Sequence, residues 1–298
     1  MSGYSDTVQP SIVHIEGVGM RRDLAERAIK EVLPARALRE FGRKLPRVGP
    51  EQKPRRQKAH SKTTILAMMY DKGILCVADR KVSGWGYSII SVEMDKIFPV
   101  GLTTVILGCG SVSGIQLLEK TLRDTNTDFY EETGYPLSVR GQVNYLSQLM
   151  RSWNLYAPGS LGADIILAGT DFNHRGLYSI EEDGSWVLHQ DHVANGSGGF
   201  RAEDQLDARW KPGLDLNEAL IIGMHCMFHA GTRDSGSSDA RVALPTAMTV
   251  TDEGTKQLAE KTIAFALARV LMEKRGPINQ VFAAALVDEY VFSKKGRR

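Results

Sequence analysis

The pattern of apolar and polar positions divides the chain near residue 63. Before it, residues 20–41 place Leu24, Ala28, Ile29, Leu33 and Leu38 at helical spacing, interrupted by Pro34. Residues 41–62 are dominated by Lys, Arg, Gly, Pro and Gln. Pro46, Pro50 and Pro54 exclude a continuous helix or a central strand there, so the stretch reads as an exposed linker. From Thr63 the texture changes. Residues 63–70 form a β-rich run, Asp71-Lys72-Gly73 a turn, and 74–78 a second run, which together predict a hairpin. A buried strand follows at 103–107. It leads through Gly108-Cys109-Gly110 to Ser111, a plausible N-cap for a helix carrying Leu117, Leu118 and Leu122.

Further along, the spacing predicts a helix at 138–156, strands at 164–168, 176–180, 186–189 and 193–195, and helices at 202–209 and 217–230. A strand at 244–250 and a helix at 254–274 complete the series, with no internal repeat. This order is not βαβ alternation. It points to antiparallel sheets with helices grouped in pairs outside them.

With 298 residues, 42% of them hydrophobic, the chain has enough material for a sizeable core. Cys76, Cys109 and Cys226 are an odd set with no C-x-x-C, which excludes a disulfide scaffold and fits a reducing compartment. No apolar run reaches the roughly 20 residues of a membrane span, and the N-terminus lacks a secretion pattern, so a cytoplasmic protein without membrane contact is expected. Charge is unevenly spread. Residues 1–62 hold 14 Lys+Arg against 7 Asp+Glu, and the rest hold 23 against 28. A basic arm suits nucleic acid or an acidic partner, but equally a removable extension.

Three motifs have ordinary readings beside their chemical ones. Gly108 and Gly110 hint at a dinucleotide loop, but Gly114 falls one residue late for G-x-G-x-x-G. The turn still presents backbone N–H groups at a helix start, which suit an oxyanion. His225 and His229 lie one turn apart, yet no H-E-x-x-H glutamate and no third ligand accompany them, so buried helix histidines are expected and no metal. Asp234-Ser235-Gly236 resembles the D-S-G of chymotrypsin-like proteases, whose disulfides and two-barrel pattern are missing. A capping loop is the plain alternative.

The informative block is Thr63-Thr64-Ile65 opening a strand directly after the basic arm, Asp79-Arg80-Lys81 closing the next strand, then Asp95-Lys96-Ile97-Phe98 and Gly108-Cys109-Gly110. Gly196-Ser197-Gly198, Asp234-Ser235-Gly236-Ser237 and Pro245-Thr246-Ala247 follow in order. Over roughly 63–250 this chain resembles the β-type catalytic subunits of the 20S proteasome, N-terminal-nucleophile hydrolases, and most of all their actinobacterial type. The resemblance implies an α+β fold, a four-layer αββα sandwich of two antiparallel sheets with helix pairs outside. It implies a pro-segment at 1–62, a catalytic domain at 63–274 and an extension of unassigned role at 275–298.

The chemistry agrees with the residue types. A threonine hydroxyl needs a base beside it, and an N-terminal amine is one solution. A neighbouring ammonium lowers the amine pKa from about 7.7–8.0. The resemblance makes Thr63 the nucleophile, exposed by autocleavage after Lys62, with Lys96 tuning the amine and Asp79 pairing with Lys96. Ser197 would contact the amine, and Asp234 and Ser237 would support it. The Gly110 N–H would serve the oxyanion. Ser83 would pair its backbone with substrate, and Val82, Met94, Phe98, Gly108 and Val112 would line an apolar, roomy specificity pocket.

The same resemblance implies a homo-oligomeric β ring, proteasome α subunits, a ring ATPase or other activator, polypeptide substrates and no cofactor. The sequence departs from the pattern at Lys62, where glycine is usual, at the 17-residue spacing of Asp79 and Lys96, which calls for an insertion in 84–92, and at Ser238. Two alternatives follow: a structural β-type subunit that stays unprocessed, and a stand-alone N-terminal-nucleophile amidase.

Overall fold

A computed structural model describes residues 63–83, 89–91, 93–156, 161–172, 174–274 and 276–292. The expectations for 1–62, for most of the 84–92 loop and for the basic end at 294–298 lie outside the described residues. Among the described residues, twelve strands and six α-helices form two five-stranded antiparallel sheets, a two-stranded ribbon and helices on the outer faces of the sheets.

The first sheet has the order β10-β1-β2-β11-β12, built from β1 (Ile65–Tyr70), β2 (Gly73–Ala78), β10 (His192–Asn195), β11 (Thr246–Thr251) and β12 (Gly254–Gln257). The second has the order β5-β6-β7-β8-β9, built from β5 (Ile97–Gly101), β6 (Thr104–Gly110), β7 (Ala163–Thr170), β8 (Arg175–Ile180) and β9 (Trp186–His189). The short pair β3 (Val82–Ser83) and β4 (Ile89–Ser91) forms a separate ribbon.

Strand periodicity sets the layers. In β1 and β2, Ile65, Ala67, Ile74, Cys76 and Ala78 face the second sheet and meet Val105, Leu107, Ile166 and Ala168. The alternate residues Leu66, Met68, Leu75 and Val77 face outward onto α3 (Gly199–Arg209), α4 (Leu216–Arg233), α5 (Glu260–Glu273) and α6 (Pro277–Val287). On the other side, Ile106, Ile165, Leu167 and Tyr178 meet α1 (Val112–Thr133) and α2 (Val139–Tyr156). Both faces of each sheet are therefore covered, which is why all six residues of β2 are buried. Each large apolar side chain so covered contributes about 1.5–3 kcal/mol. The result is the four-layer αββα sandwich.

The predicted hairpin forms, with Ile65 opposite Ala78 and Tyr70 opposite Gly73. Ser111 caps α1, accepting from the Gly114 N–H. One prediction is corrected. The helix expected over 254–274 divides into β12 and α5. Gly254 takes φ +130° to close a hairpin onto β11, and the Thr255 N–H donates to the Leu102 carbonyl. The polar run Gly254-Thr255-Lys256-Gln257 lacks apolar residues to seat a helix, whereas a strand satisfies its backbone on β11. The extension at 275–298 contains α6, which buries Ala283 and Leu286, followed by a π-helical turn over Asp288–Phe292.

All three cysteines are buried and free. Burial pushes the thiols of Cys76, Cys109 and Cys226 well above their ordinary range. Among the described residues no helix is long and apolar enough to cross a membrane.

Candidate active site

Sheet register brings distant residues to one edge. Ile65 pairs with Ala78 on one side and Asn195 on the other. Continuing both ladders by one or two residues sets Thr64 beside Asp79 and Thr63 beside Ser197. The backbone confirms both: the Asp79 N–H donates to the Thr64 carbonyl at 3.0 Å, and the Gly198 N–H to the Thr63 carbonyl at 3.2 Å. Lys96 arrives from the second sheet, immediately before β5, where its carbonyl accepts from the Gly108 N–H. Asp234 caps the C-terminal end of α4 and opens the loop that carries Ser237 and Ser238.

Thr63 is the centre of this cluster. Its Oγ1 donates to Asp79 Oδ1 at 2.5 Å and accepts from Lys96 Nζ. Lys96 Nζ also donates to Asp79 Oδ1 and to the Lys81 carbonyl, each at 2.6 Å. Three oxygens thus saturate the three ammonium donors. Asp79 receives further donors from the Thr64 N–H at 3.1 Å and, on Oδ2, from the Ser238 N–H at 2.9 Å. Thr63, Asp79 and Lys96 are 0%, 1% and 4% exposed, so this ion pair works in a medium that strengthens it and penalises its loss. Burial lowers the Lys96 pKa from its ordinary value, against the opposing pull of Asp79.

A second set meets the Thr63 backbone. Its N–H donates to Ser197 Oγ at 3.1 Å, and Ser197 donates to Asp234 Oδ2 at 2.6 Å. Ser237 also donates to Asp234 Oδ2, at 2.7 Å. Burial raises the Asp234 pKa, but the hydrogen bonds from Ser197, Ser237 and Gly236 outweigh it, and the carboxyl lies below its ordinary range.

The two glycines of the G-S-G segment are required by space. Gly196 has φ +92°, and a Cβ there would lie 2.3 Å from the Thr63 carbonyl oxygen. A Cβ on Gly198 would lie 2.1 Å from Thr64 Oγ1 and 2.5 Å from Ser237 Oγ.

A family model for proteasome subunits matches residues 60–244. The chain belongs to the proteasome subunit family. Relatives named proteasome subunit beta include those of Streptomyces griseus, 26% identical over 72% of this chain and 77% of the relative, and Methanopyrus kandleri, 26% identical over 67% and 93%. Another, from Jonesia denitrificans, is 29% identical over 68% of this chain and 69% of its own length.

Within this family member, Thr63, Asp79, Lys96, Ser197, Asp234 and Ser237 form one hydrogen-bonded cluster. Two contacts define how the cluster is wired. Lys96 touches the Thr63 hydroxyl rather than its backbone nitrogen. Ser237 is bonded to Thr64 Oγ1 at 2.5 Å, so it reaches the Thr63 nitrogen only through Asp234 and Ser197. Gly110 sits at the end of β6 with φ +107°, two residues past the Gly108 N–H that bonds the Lys96 carbonyl.

Val82, Met94, Phe98 and Val112 are half-buried, while Gly108 is buried. A Cβ on Gly108 would lie 2.5 Å from the Ile115 side chain, so the missing side chain makes room for α1. Ser83 lies in the β3 ribbon, and Lys62 is outside the described residues.

Sequence reasoning missed Thr64, Lys81 and Ser238. Two of them act through backbone atoms, which leave no residue-type signal. The doubled threonine was the one available clue. His225 and His229 each have another side-chain partner: His225 bonds Glu273 at 3.1 Å and His229 bonds Lys274 at 3.0 Å. Among the described residues no cluster suits a metal ion.

Proposed function

We propose that this chain is the precursor of a threonine peptidase subunit of a 20S-type proteasome. The observation that carries the reading is the Thr63 hydroxyl, held between the Asp79 carboxylate and the Lys96 ammonium in a buried site. In the precursor the Thr63 nitrogen is an amide and cannot act as base. Proton removal from Oγ1 then falls to the Lys96–Asp79 pair, for which a lowered lysine pKa is favourable.

Attack of Oγ1 on the Lys62 carbonyl breaks the Lys62–Thr63 amide and forms an ester, while the proton passes to the departing nitrogen. Water then hydrolyses the ester, releasing residues 1–62 and leaving Thr63 with a free α-amine. In turnover the same oxygen attacks a substrate carbonyl. The released α-amine, seated on Ser197 and Asp234, joins the proton transfer, and the Gly110 N–H stabilises the oxyanion. Water hydrolyses the acyl-enzyme. The working domain would be 63–274, in a β ring of identical subunits stacked on α rings, with an ATPase or other activator delivering unfolded polypeptide in the cytoplasm.

One observation favours a second reading. Lys62 stands where the processing turn is easiest for glycine, and a subunit that retains its extension would be structural. The mass of the chain after assembly with α subunits separates the two. A mature chain starting at Thr63, with peptidase activity in the particle, is expected. A full-length chain in an assembled particle without peptidase activity overturns the catalytic reading.

A further inference from the structure

The loop that carries Asp234, Ser237 and Ser238 is anchored at its far end by Arg241. Its guanidinium embraces Asp239, with Nη2 to Oδ2 at 2.6 Å and Nε to Oδ1 at 2.9 Å. The Arg241 N–H adds a bond to Oδ1 at 2.9 Å. The guanidinium carbon lies 5.6 Å from the Phe228 ring centre on α4 and 5.8 Å from that of Phe282 on α6. Its Nη1 donates to Asn279 Oδ1, also on α6, at 3.4 Å. The loop is pressed onto α4 at Gly231, where a Cβ would lie 2.3 Å from the Ser238 carbonyl oxygen. Ala240 is buried between these anchors. The α6 helix lies beyond residues 60–244, the span matched by the family model.

We propose that Arg241 is a positioning residue for the threonine site, through which the C-terminal helix α6 sets the loop that holds Asp79 and Asp234. Arg241 contacts neither Thr63 nor its immediate partners. Its effect passes along three residues of backbone to the Ser238 N–H, which donates to Asp79, and along four more to Asp234, which orders Ser197. An arginine suits the task because one planar group can clasp a carboxylate edge-on and stack its faces on two rings, which lysine cannot do. The inference rests on the proposed peptidase function.

The test compares wild type, Arg241→Ala, Arg241→Lys and a chain ending at residue 276, each assembled with α subunits. Two readouts are hydrogen exchange of residues 234–241 and peptidase kinetics over pH. Expected for Arg241→Ala and for the truncation are faster exchange at Gly236–Ser238 and a kcat reduced about tenfold or more with KM unchanged. The acid limb of the kcat profile moves to higher pH as Asp234 loses its fixed donors, and Arg241→Lys restores only part of kcat. A loss of fold alone would lower the yield of particles without moving that limb.

Wild-type exchange at Gly236–Ser238 in Arg241→Ala overturns the proposal, whatever the truncation does. So does a wild-type kcat and pH limb in that variant. If wild type itself hydrolyses no peptide, the peptidase reading has failed instead, and the exchange comparison alone decides whether Arg241 and α6 hold the loop.

Discussion

The Ser238 N–H donates to Asp79 Oδ2 at 2.9 Å, joining residues 159 positions apart. It ties the loop after α4 to the end of β2, and the same carboxylate holds Lys96 through its other oxygen. Thr63, its charged neighbours and the serine–aspartate pair are thus one network.

Asp79 and Lys96 differ in what each leaves behind. Asp79→Ala strands a buried ammonium and the N–H groups of Thr64 and Ser238. Lys96→Met leaves a carboxylate that keeps those backbone donors. We expect Asp79→Ala to cost about 3–5 kcal/mol in urea unfolding and Lys96→Met distinctly less, while both abolish processing and peptidase activity. Equal destabilisation would contradict the donor count.

Thr63→Ala should leave the chain at its full 298-residue mass in the particle, with no peptide hydrolysis. Lys62→Gly, with Thr63 intact, should speed cleavage of the bond between residues 62 and 63 by easing the turn. A time course of precursor mass checks both. Cleavage persisting in Thr63→Ala excludes this nucleophile.

Gly196→Ala forces an L-residue to φ +92° and drives a Cβ against the Thr63 carbonyl. A loss of at least about 1–3 kcal/mol is expected, together with loss of activity. Gly213, at φ +78° with open space around it, is the control. Gly213→Ala should keep full activity. Thermal unfolding and peptidase assays compare them.

Acid should weaken the fold through His225. Burial first, then Arg209 and Lys274 against the pull of Glu273, lowers its pKa to about 4. The unfolded chain takes up this proton near pH 6.5, and the folded chain resists it until about 4. Stability attributable to His225 is therefore full above about pH 6.5 and declines as pH falls toward 4. His225→Gln, which can still donate to Glu273, should flatten that decline in urea midpoints. An unchanged slope would remove His225 as its source.

Much of this was legible from residue types. The turn at Asp71-Lys72-Gly73 and the Ser111 cap carry local signals, whereas Thr63, Asp79, Lys96, Ser197 and Asp234 were legible as a set only through the family resemblance, and the fold brings those five residues together. Local signals end where backbone geometry takes over. Gly108 looks like an open space in sequence, but Ile115 occupies it. The β12 strand has neither alternation nor apolar content, and only its partner β11 makes it a strand. No local signal marks Arg241, whose surroundings of Asp239, Phe228 and Phe282 come from three separate segments of the fold.

The burial of all three thiols has a practical consequence for chemical probes. Cysteines are the usual competitors for electrophiles that capture an activated hydroxyl. Here each sulfur is covered and held in its protonated form, so it is a slow target in the folded chain. A covalent adduct formed under native conditions therefore falls on a group other than a thiol, and under the proposed peptidase reading, once peptide mapping places it on Thr63, its stoichiometry counts the processed sites.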